Sequence, residues 1–288
     1  MRRFLEGPEV EEDAKDFRAK GIRYKGGQYT DQIDKDIVRT KILKQNAHLH
    51  ADVHRVLEYY CYVKNVSFCQ GMIEVMMPFL LMKSPAFDVA CVYAFFKRFM
   101  ATYLPNTLHT KLNGRGGTSL PYLKCTLILA ESLLQYHDKE LCNHLRQHKL
   151  VLEMFATHWF LTLFTRSVTD LALLYEVWEI FLYERDRYML FYFAVALLKS
   201  QREAILQLTQ FEKLLTFLTS SIKMSDHAHL AAVYALAVQV RATTPVSFQM
   251  MVSGLRLFGQ DQIVSNEELE ALEHFRQANA DAPHSLTL

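Results

Sequence analysis

Glycine, proline and long hydrophobic runs are scarce in this sequence. It has ten glycines and seven prolines among 288 residues, about half of the average usage of ~12% for the two together. This deficit argues against a turn-rich all-β sandwich and favours helices. A long unbroken apolar run covers the ten residues 189–198, whereas a membrane-spanning helix needs about 20. We therefore expect a helical protein without a transmembrane segment.

Charge and cysteine usage narrow the classes of function. The 32 basic and 31 acidic residues leave a net charge of +1, without the basic stripe of a nucleic-acid binder, so we expect no nucleic-acid partner. The five cysteines are odd in number and form no C-x-x-C pair, which indicates intracellular thiols. Residues 1–6 are not followed by the apolar segment of a secretory signal. These features predict a soluble, cytoplasmic protein.

Motifs for several common chemistries are missing. Residues 114–118 contain three glycines but lack the Lys-Ser/Thr of a P-loop, and we interpret them as a surface loop. No Gly-x-Ser-x-Gly elbow is present to begin a hydrolase triad. The pairs His50/His54 and His144/His148 have no further ligand in register. We therefore expect no metal site.

The apolar spacing is helical from residue 33 onward. Residues 1–30 are polar, and we interpret them as a partly ordered lead-in to a domain of residues 31–288. We predict an all-α fold of about ten helices in two helical lobes, 31–150 and 151–288. The predicted helices begin at residue 33 and then cover 53–63, 72–82, 87–103, 122–136, 139–148, 151–164, 170–183, 188–206, 210–223, 227–241 and 266–278. A loop is predicted at 105–121.

Two short polar segments stand out from this helical background. On a helix, Ile33 shares a buried face with Ile37, and Asp36 can pair with Arg39 at i, i+3. Spacing alone favours a simple interpretation of this first segment, an amphipathic helix end with a solvated ion pair.

The second segment is Ser67-Phe68-Cys69-Gln70-Gly71-Met72, which lies at a break before an apolar helix. Taken alone, it is most simply a turn with a helix-capping glutamine.

Together, with Arg39 and Gln70 31 residues apart, the two segments resemble a known pair of motifs. Residues 33–39 resemble I-x-x-D-x-x-R and residues 68–71 resemble Y-x-Q-G of the TBC domain, the catalytic module of Rab GTPase-activating proteins. Residues 155–164, around Trp159, are similar to the family's Trp-containing helix, and residues 177–179, around Trp178, to its V-W-D segment. The resemblance runs in order from about residue 30 to about residue 210.

The chain departs from the family pattern at a few positions. Phe68 stands where the motif has Tyr, Ser67 where Gly is usual, and Glu179 where Asp is usual. Family members usually carry an L-R-x-x-x-W segment upstream. This chain has no Trp before Trp159, and 38 residues precede Arg39. We therefore expect the first helices of the domain to be missing, shortened or diverged.

The resemblance implies a role for each motif residue. Arg39 is the arginine finger inserted in trans, and Gln70 orients the attacking water in place of the GTPase's own glutamine. Asp36 holds Arg39 extended, and Gly71 lets the backbone approach the nucleotide. Ile33, Phe68 and Met72 fix the motifs on buried helices, while Trp159 and Trp178 belong to the core.

The same resemblance implies a GTPase activator for vesicle trafficking that is not a stand-alone enzyme. Its partner is a Rab-family small GTPase, which brings GTP and Mg²⁺, so no cofactor of its own is expected. Peripheral membrane association, including recruitment to endomembranes, would then come through the partner. An alternative is a catalytically silent TBC-like scaffold that binds a small GTPase or another trafficking protein. A helical repeat scaffold would need a fixed period, and none is visible.

Overall fold

The fold is all-α, as predicted. The computed structural model describes residues 7–84, 87–104, 121–168, 170–255 and 266–278. Within these ranges the β-type pairings are two isolated bridges, Ser84–Phe87 and Val168–Met224. The chain divides into two compact units, Met1–Leu120 and Pro121–Leu288. The division therefore falls between residues 120 and 121, thirty residues before the predicted boundary at 150.

The first unit contains six α-helices in its described residues. They are α1 (Pro8–Ala19), α2 (Thr30–Arg39), α3 (Lys41–Lys44), α4 (His50–Lys64), α5 (Met72–Leu81) and α6 (Val89–Tyr103), with single 3₁₀ turns at Gly21–Arg23 and Ala47–Leu49. The predicted loop 105–121 lies outside the described residues up to position 120, and with it the glycines at 114–117.

The described residues of the second unit are also mainly helical. Its α-helices are α7 (Pro121–His137), α8 (Lys139–Gln147), α9 (Thr157–Leu161), α10 (Leu171–Glu184), α11 (Met189–Ser200), α12 (Arg202–Leu206), α13 (Phe211–Thr216), α14 (His227–Thr243), α15 (Val246–Gly254) and α16 (Asn266–Ala278). A 3₁₀ turn covers Leu152–Met154, and one π-helical turn covers Phe217–Ser221.

Aspartate side chains set the first residue of four helices. Each accepts a hydrogen bond from the backbone N–H three residues later, which satisfies a donor that the first helical turn leaves unpaired. The four are Asp88 before α6 (3.0 Å), Asp138 before α8 (3.0 Å), Asp170 before α10 (2.9 Å) and Asp226 before α14 (2.8 Å).

The segment predicted as a polar lead-in contains helix α1. Its buried residues Val10, Ala14 and Phe17 are spaced i, i+4, i+7, and the Phe17 ring stacks on Tyr93 of α6 at 4.6 Å. Ion pairs flank this stripe, Asp13–Lys97 at 2.5 Å and Arg18–Asp88 at 3.0 Å. The charged residues around three apolar positions concealed the helical stripe in the composition of this segment.

Residues 151–164, predicted as one helix, are broken in the structure. The 3₁₀ turn and the five-residue α9 are followed by Leu163 and Phe164, both with left-handed φ of 50° and 64°. Phe155, Trp159 and Phe164 are all almost fully buried. The two left-handed residues turn the chain here, and all three rings are buried.

One predicted helix is interrupted in the structure, and one helix of the structure was not predicted. The predicted helix 188–206 is interrupted at Gln201, which separates α11 from α12. Helix α15 has no counterpart among the predicted helices.

The long apolar run of the sequence is a core helix. Residues 189–198 all lie in α11, and each is at most 4% exposed. Among the described residues, none of the helices combines the length and apolar character that crossing a bilayer requires.

Candidate functional site

Helix α2 places Arg39 at its exposed carboxyl end. Its buried stripe is Ile33, Asp36 and Ile37. The helix ends because Thr40 adopts an extended backbone, and the Thr40 hydroxyl and amide both donate to the carbonyl of Asp36, at 2.8 and 3.0 Å. Arg39 therefore occupies the last turn, where its side chain is 67% exposed.

A buried carboxylate lies beside the guanidinium of this exposed side chain. Oδ1 of Asp36 lies 3.5 Å from Nη1 of Arg39, and the Asp36 side chain is 10% exposed. An ion pair with one exposed partner contributes at most about 1 kcal/mol to stability. The pair therefore matters mainly for the direction in which the guanidinium points.

Helix α2 is fixed to α4 along its length. The Glu58 carboxylate accepts hydrogen bonds from the Thr30 hydroxyl at 2.8 Å and the Gly27 amide at 2.9 Å. Further along, Nε2 of His54 lies 2.9 Å from Oδ1 of Asp34. Glu58 was not among the residues predicted to form the site. Local periodicity carries no signal for a contact between residues 28 positions apart.

The turn after α4 presents Gln70. Helix α4 ends at Asn65 in a left-handed conformation with φ 51°, and the Val66 amide donates to the Cys61 carbonyl at 3.0 Å. Phe68 is buried, and Gln70 is exposed.

Gly71 precedes the first residue of α5 with φ 104° and ψ −23°. An L-residue rarely adopts this conformation, so the turn requires glycine. The Gly71 carbonyl accepts from the Val75 amide at 3.1 Å. The turn that carries Gln70 is thereby joined directly to the buried helix α5.

A carboxylate of the first motif interacts electrostatically with a thiol of the second. Burial raises the pKa of the Cys69 thiol to about 11, and the Asp36 carboxylate adds to this rise. Cys69 is the neighbour of Gln70 in sequence, and Asp36 is the residue that pairs with Arg39. The fold therefore brings the segment of Gln70 close to the helix of Arg39 in one compact unit.

Trp159 and Trp178 both lie in the second unit and are fully buried. The Trp178 indole donates to the carbonyl of Leu163 at 2.8 Å, at the left-handed turn after α9. The Trp159 ring stacks on Phe164 at 6.0 Å. These two residues organise the core of their unit and lie far along the chain from the two polar motifs.

The arrangement of the first unit is suited to acting on a molecule that docks from outside. It offers a permanently charged, planar donor in Arg39 and an amide in Gln70, both exposed and both attached to buried segments. Among the residues the structure describes, no group of three or more His, Cys, Asp and Glu side chains is placed to hold a metal ion.

Comparison with known proteins identifies the family. Residues 9–206 match the Rab-GTPase-TBC domain. The chain belongs to this family. The match begins within α1, so the segment predicted as a lead-in is part of the TBC domain match, and it includes both polar motifs and both tryptophans.

Relatives carry TBC domains in much longer proteins. Mouse "TBC1 domain family member 4" is 24% identical over 223 residues, which are 75% of this chain and 16% of that protein. Human "TBC domain-containing protein kinase-like protein" is 26% identical over 161 residues, 54% of this chain and 16% of that protein. The chain thus spans about one sixth of the length of these relatives.

Solved TBC structures share the fold at low identity. The Ypt/Rab-GAP domain of Gyp1p matches with a TM-score of 0.63 and 16% identity, over 84% of this chain and 81% of that chain. The TBC domain of a Chlamydomonas flagellar RabGAP matches with a TM-score of 0.55 and 19% identity, over 81% and 72%. The likeness establishes the fold of this TBC domain.

Proposed function

We propose that this TBC domain accelerates GTP hydrolysis by a Rab-family GTPase, supplying Arg39 and Gln70 in trans. Membership of the Rab-GTPase-TBC family supports the role of a Rab activator. The observation that carries the residue assignment is the exposed Arg39 side chain, whose guanidinium lies 3.5 Å from the buried carboxylate of Asp36. An exposed guanidinium that contributes little to stability is free to serve a partner.

The chemistry of GTP hydrolysis requires positioning and charge stabilisation. A water molecule must lie in line with the γ-phosphorus, and negative charge on the phosphate oxygens must be stabilised as it develops. The planar guanidinium of Arg39 matches two phosphate oxygens at once and stays charged at any physiological pH. The Gln70 amide can accept a hydrogen bond from the water and donate one, which fixes its orientation.

The remaining motif residues act as positioning residues in this proposal. Asp36 directs Arg39 outward, and Ile33 anchors its helix in the core. Phe68 anchors the turn, and Gly71 adopts the left-handed conformation that connects Gln70 to helix α5. Because these supports are buried, both groups are held before the partner arrives, which lowers the entropic cost of reaching the transition state.

The reaction belongs to the complex and not to this chain alone. GTP and Mg²⁺ come with the GTPase in this proposal, and no cofactor is assigned to the TBC domain. Association with membranes would follow the location of the partner.

Single-turnover GTP hydrolysis with a panel of purified Rab GTPases tests the proposal. Arg39→Ala should reduce the stimulated rate of the responding Rab by about 10³-fold or more, the range of an arginine finger. Gln70→Ala should also abolish most of the stimulation. Urea unfolding should show little loss of stability for Arg39→Ala.

The chain offers a matched control for Arg39. Arg55 pairs with Asp52 in the same i, i+3 geometry at 3.4 Å, with 45% of the Arg55 side chain and 9% of the Asp52 side chain exposed. Arg55→Ala removes an ion pair of the same spacing in the same unit, while Asp52 keeps its second partner Lys83 at 2.5 Å. This variant should leave stimulation nearly unchanged. Equal losses for both variants would show that the arginine effect is structural and would overturn the assignment of Arg39.

The alternative function is a silent scaffold with the same fold. It is favoured by the replacement of the motif tyrosine with Phe68, whose buried ring has no hydroxyl. In the same experiment this function predicts that a GTP-loaded Rab binds the domain while its hydrolysis rate stays at the intrinsic value, with wild type and Arg39→Ala indistinguishable.

A further inference from the structure

Two exposed aliphatic side chains flank Arg39 in sequence. Val38 is 64% exposed in the last turn of α2, and Ile42 is 37% exposed in α3. The other exposed positions of α2 that precede Val38 are the polar residues 31, 32, 34 and 35. Val38 is therefore the single apolar residue on the exposed side of this helix.

Local structure keeps both side chains close to Arg39. Val38 is the preceding residue, with consecutive Cα atoms about 3.8 Å apart. After Arg39 the chain turns at once, because the amides of Leu43 and Lys44 donate to the Thr40 carbonyl at 3.0 and 3.3 Å. This turn buries Leu43 and leaves Ile42 exposed within one turn of the arginine.

Neither exposed side chain is explained by the fold. Ile33 and Ile37 already form the buried stripe of α2, and Leu43 is the buried residue of α3. A β-branched residue such as valine has no helix-forming advantage at an exposed position, where Lys, Glu or Ala would stabilise the helix better.

The reach of the arginine side chain determines what must cover these residues. The guanidinium of an extended arginine lies about 7 Å from its Cα. It therefore extends a few bond lengths further than the side chains of Val38 and Ile42. A phosphate that touches the guanidinium therefore brings the surrounding surface of its protein over Val38 and Ile42. The centres of protein interfaces favour arginine and apolar groups, and Val38 and Ile42 supply exposed apolar groups next to Arg39 in sequence.

We infer that Val38 and Ile42 form an apolar docking patch for the GTP-loaded GTPase. The patch would contact apolar side chains of the GTPase that surround the γ-phosphate of its GTP. This inference rests on the proposed function, because the occupant is identified by its continuity with Arg39. The segments around the γ-phosphate of GTPases are ordered by that phosphate and are released after hydrolysis. The patch therefore favours the triphosphate-bound partner and contributes to affinity, whereas Arg39 contributes to the chemical step.

Kinetics separates these two contributions. The single-turnover rate of the responding Rab is measured against increasing concentration of TBC domain, for wild type and for Val38→Thr, Ile42→Thr and the double variant. Threonine is close to valine in shape and helix propensity, so the variants retain the fold. We expect the half-saturating concentration to rise about tenfold in the double variant, with the maximal rate unchanged.

Two exposed aliphatic residues provide matched controls. Val246 at the start of α15 is 69% exposed, and Ile22 in the first 3₁₀ turn is 41% exposed. Val246→Thr and Ile22→Thr make the same chemical changes outside the patch and should leave the half-saturating concentration unchanged. An unchanged value in the double variant, or an equal rise in the controls, would overturn the patch.

A binding measurement keeps this inference separate from the proposed function. The affinity of each variant for a Rab loaded with a non-hydrolysable GTP analogue is measured by calorimetry. If the wild type binds without accelerating hydrolysis and the double variant binds about tenfold more weakly, the patch stands and the catalytic proposal fails. If hydrolysis is accelerated but affinity is the same in all variants, the catalytic proposal stands and the patch fails.

Discussion

Glu58 accepts a hydrogen bond at 2.8 Å from the hydroxyl of Thr30, the first residue of the helix that ends in Arg39. Its second carboxylate oxygen accepts from the amide of Gly27 at 2.9 Å. Glu58 lies in α4, the helix that leads to the turn of Gln70. One side chain therefore ties the start of the arginine helix to the segment that carries the glutamine.

We expect Glu58→Ala to lower the free energy of unfolding by about 1–3 kcal/mol, since it leaves two donors without their acceptor. Stimulated hydrolysis should fall as well, because α2 loses its attachment. Urea denaturation and the single-turnover assay measure the two effects. Glu58→Gln keeps one carbonyl oxygen as acceptor and should lose less of both. Full activity in Glu58→Ala would show that the stripe of α2 positions Arg39 without this contact.

A second prediction concerns the glycine of the glutamine turn. Gly71→Ala forces a Cβ into a left-handed backbone with φ 104°, which costs about 1–2 kcal/mol. At Gly254, the last residue of α15, no atom of the described residues lies within 4 Å of the position that an alanine Cβ would take. Gly254→Ala should therefore be neutral or stabilise by up to about 1 kcal/mol. The midpoint temperature of thermal unfolding should fall for Gly71→Ala and should stay the same or rise for Gly254→Ala. Equal shifts in the two variants would contradict the conformational argument.

The two buried tryptophans should respond differently to removal of their indole N–H. In Trp178→Phe the Leu163 carbonyl loses a 2.8 Å hydrogen bond, which adds about 1–3 kcal/mol to the cost of the lost volume. The Trp159 Nε1 is buried and has no hydrogen-bond partner among the described residues, so Trp159→Phe loses volume alone. Urea denaturation should rank Trp178→Phe as the less stable variant. The opposite ranking would mean that packing around Trp159 outweighs the hydrogen bond.

Two histidines of the second unit predict how stability depends on pH. Burial, with nearby Lys199, lowers the pKa of His137 to about 4. Burial, with the positive charges of Arg166 and Lys223, lowers the pKa of His158 to about 4. An unfolded histidine titrates near 6.5, so the unfolded chain binds protons first. The free energy of unfolding should be highest above about pH 6.5 and should fall as the pH drops toward 4, by up to about 1.4 kcal/mol per pH unit for each histidine.

Urea unfolding at pH 7.5, 6.0 and 5.0 measures this dependence. In the double variant His137→Gln, His158→Gln, the side chains no longer titrate, and the fall between pH 6.5 and pH 5 should become much smaller. An identical fall in wild type and double variant would assign the pH dependence to other groups, such as carboxylates.

Apolar patterning predicted the bounds of seven helices closely. Helices α5, α6, α7, α8, α10, α14 and α16 have bounds within about two residues of those predicted. Helix α1 was missed although Val10, Ala14 and Phe17 carry the correct spacing, because charged residues dominate the composition around them. The break after α9 was missed because the left-handed backbone of Leu163 and Phe164 leaves no signal in the spacing of apolar residues.

The sequence alone determined the all-α class and the two polar motifs, since helical periodicity and the order of short motifs are local properties of the chain. Tertiary structure decided which motif residues are exposed and which are buried. Asp36 and Arg39 are three residues apart, yet Asp36 is buried and Arg39 is open to solvent. Tertiary structure also decided that Glu58 accepts a hydrogen bond from the start of helix α2 and that α1 packs on α6. It likewise placed the Asp36 carboxylate where it raises the pKa of Cys69. These relationships join residues 28 to about 80 positions apart, and they exist only because burial of the apolar faces brings distant segments into contact.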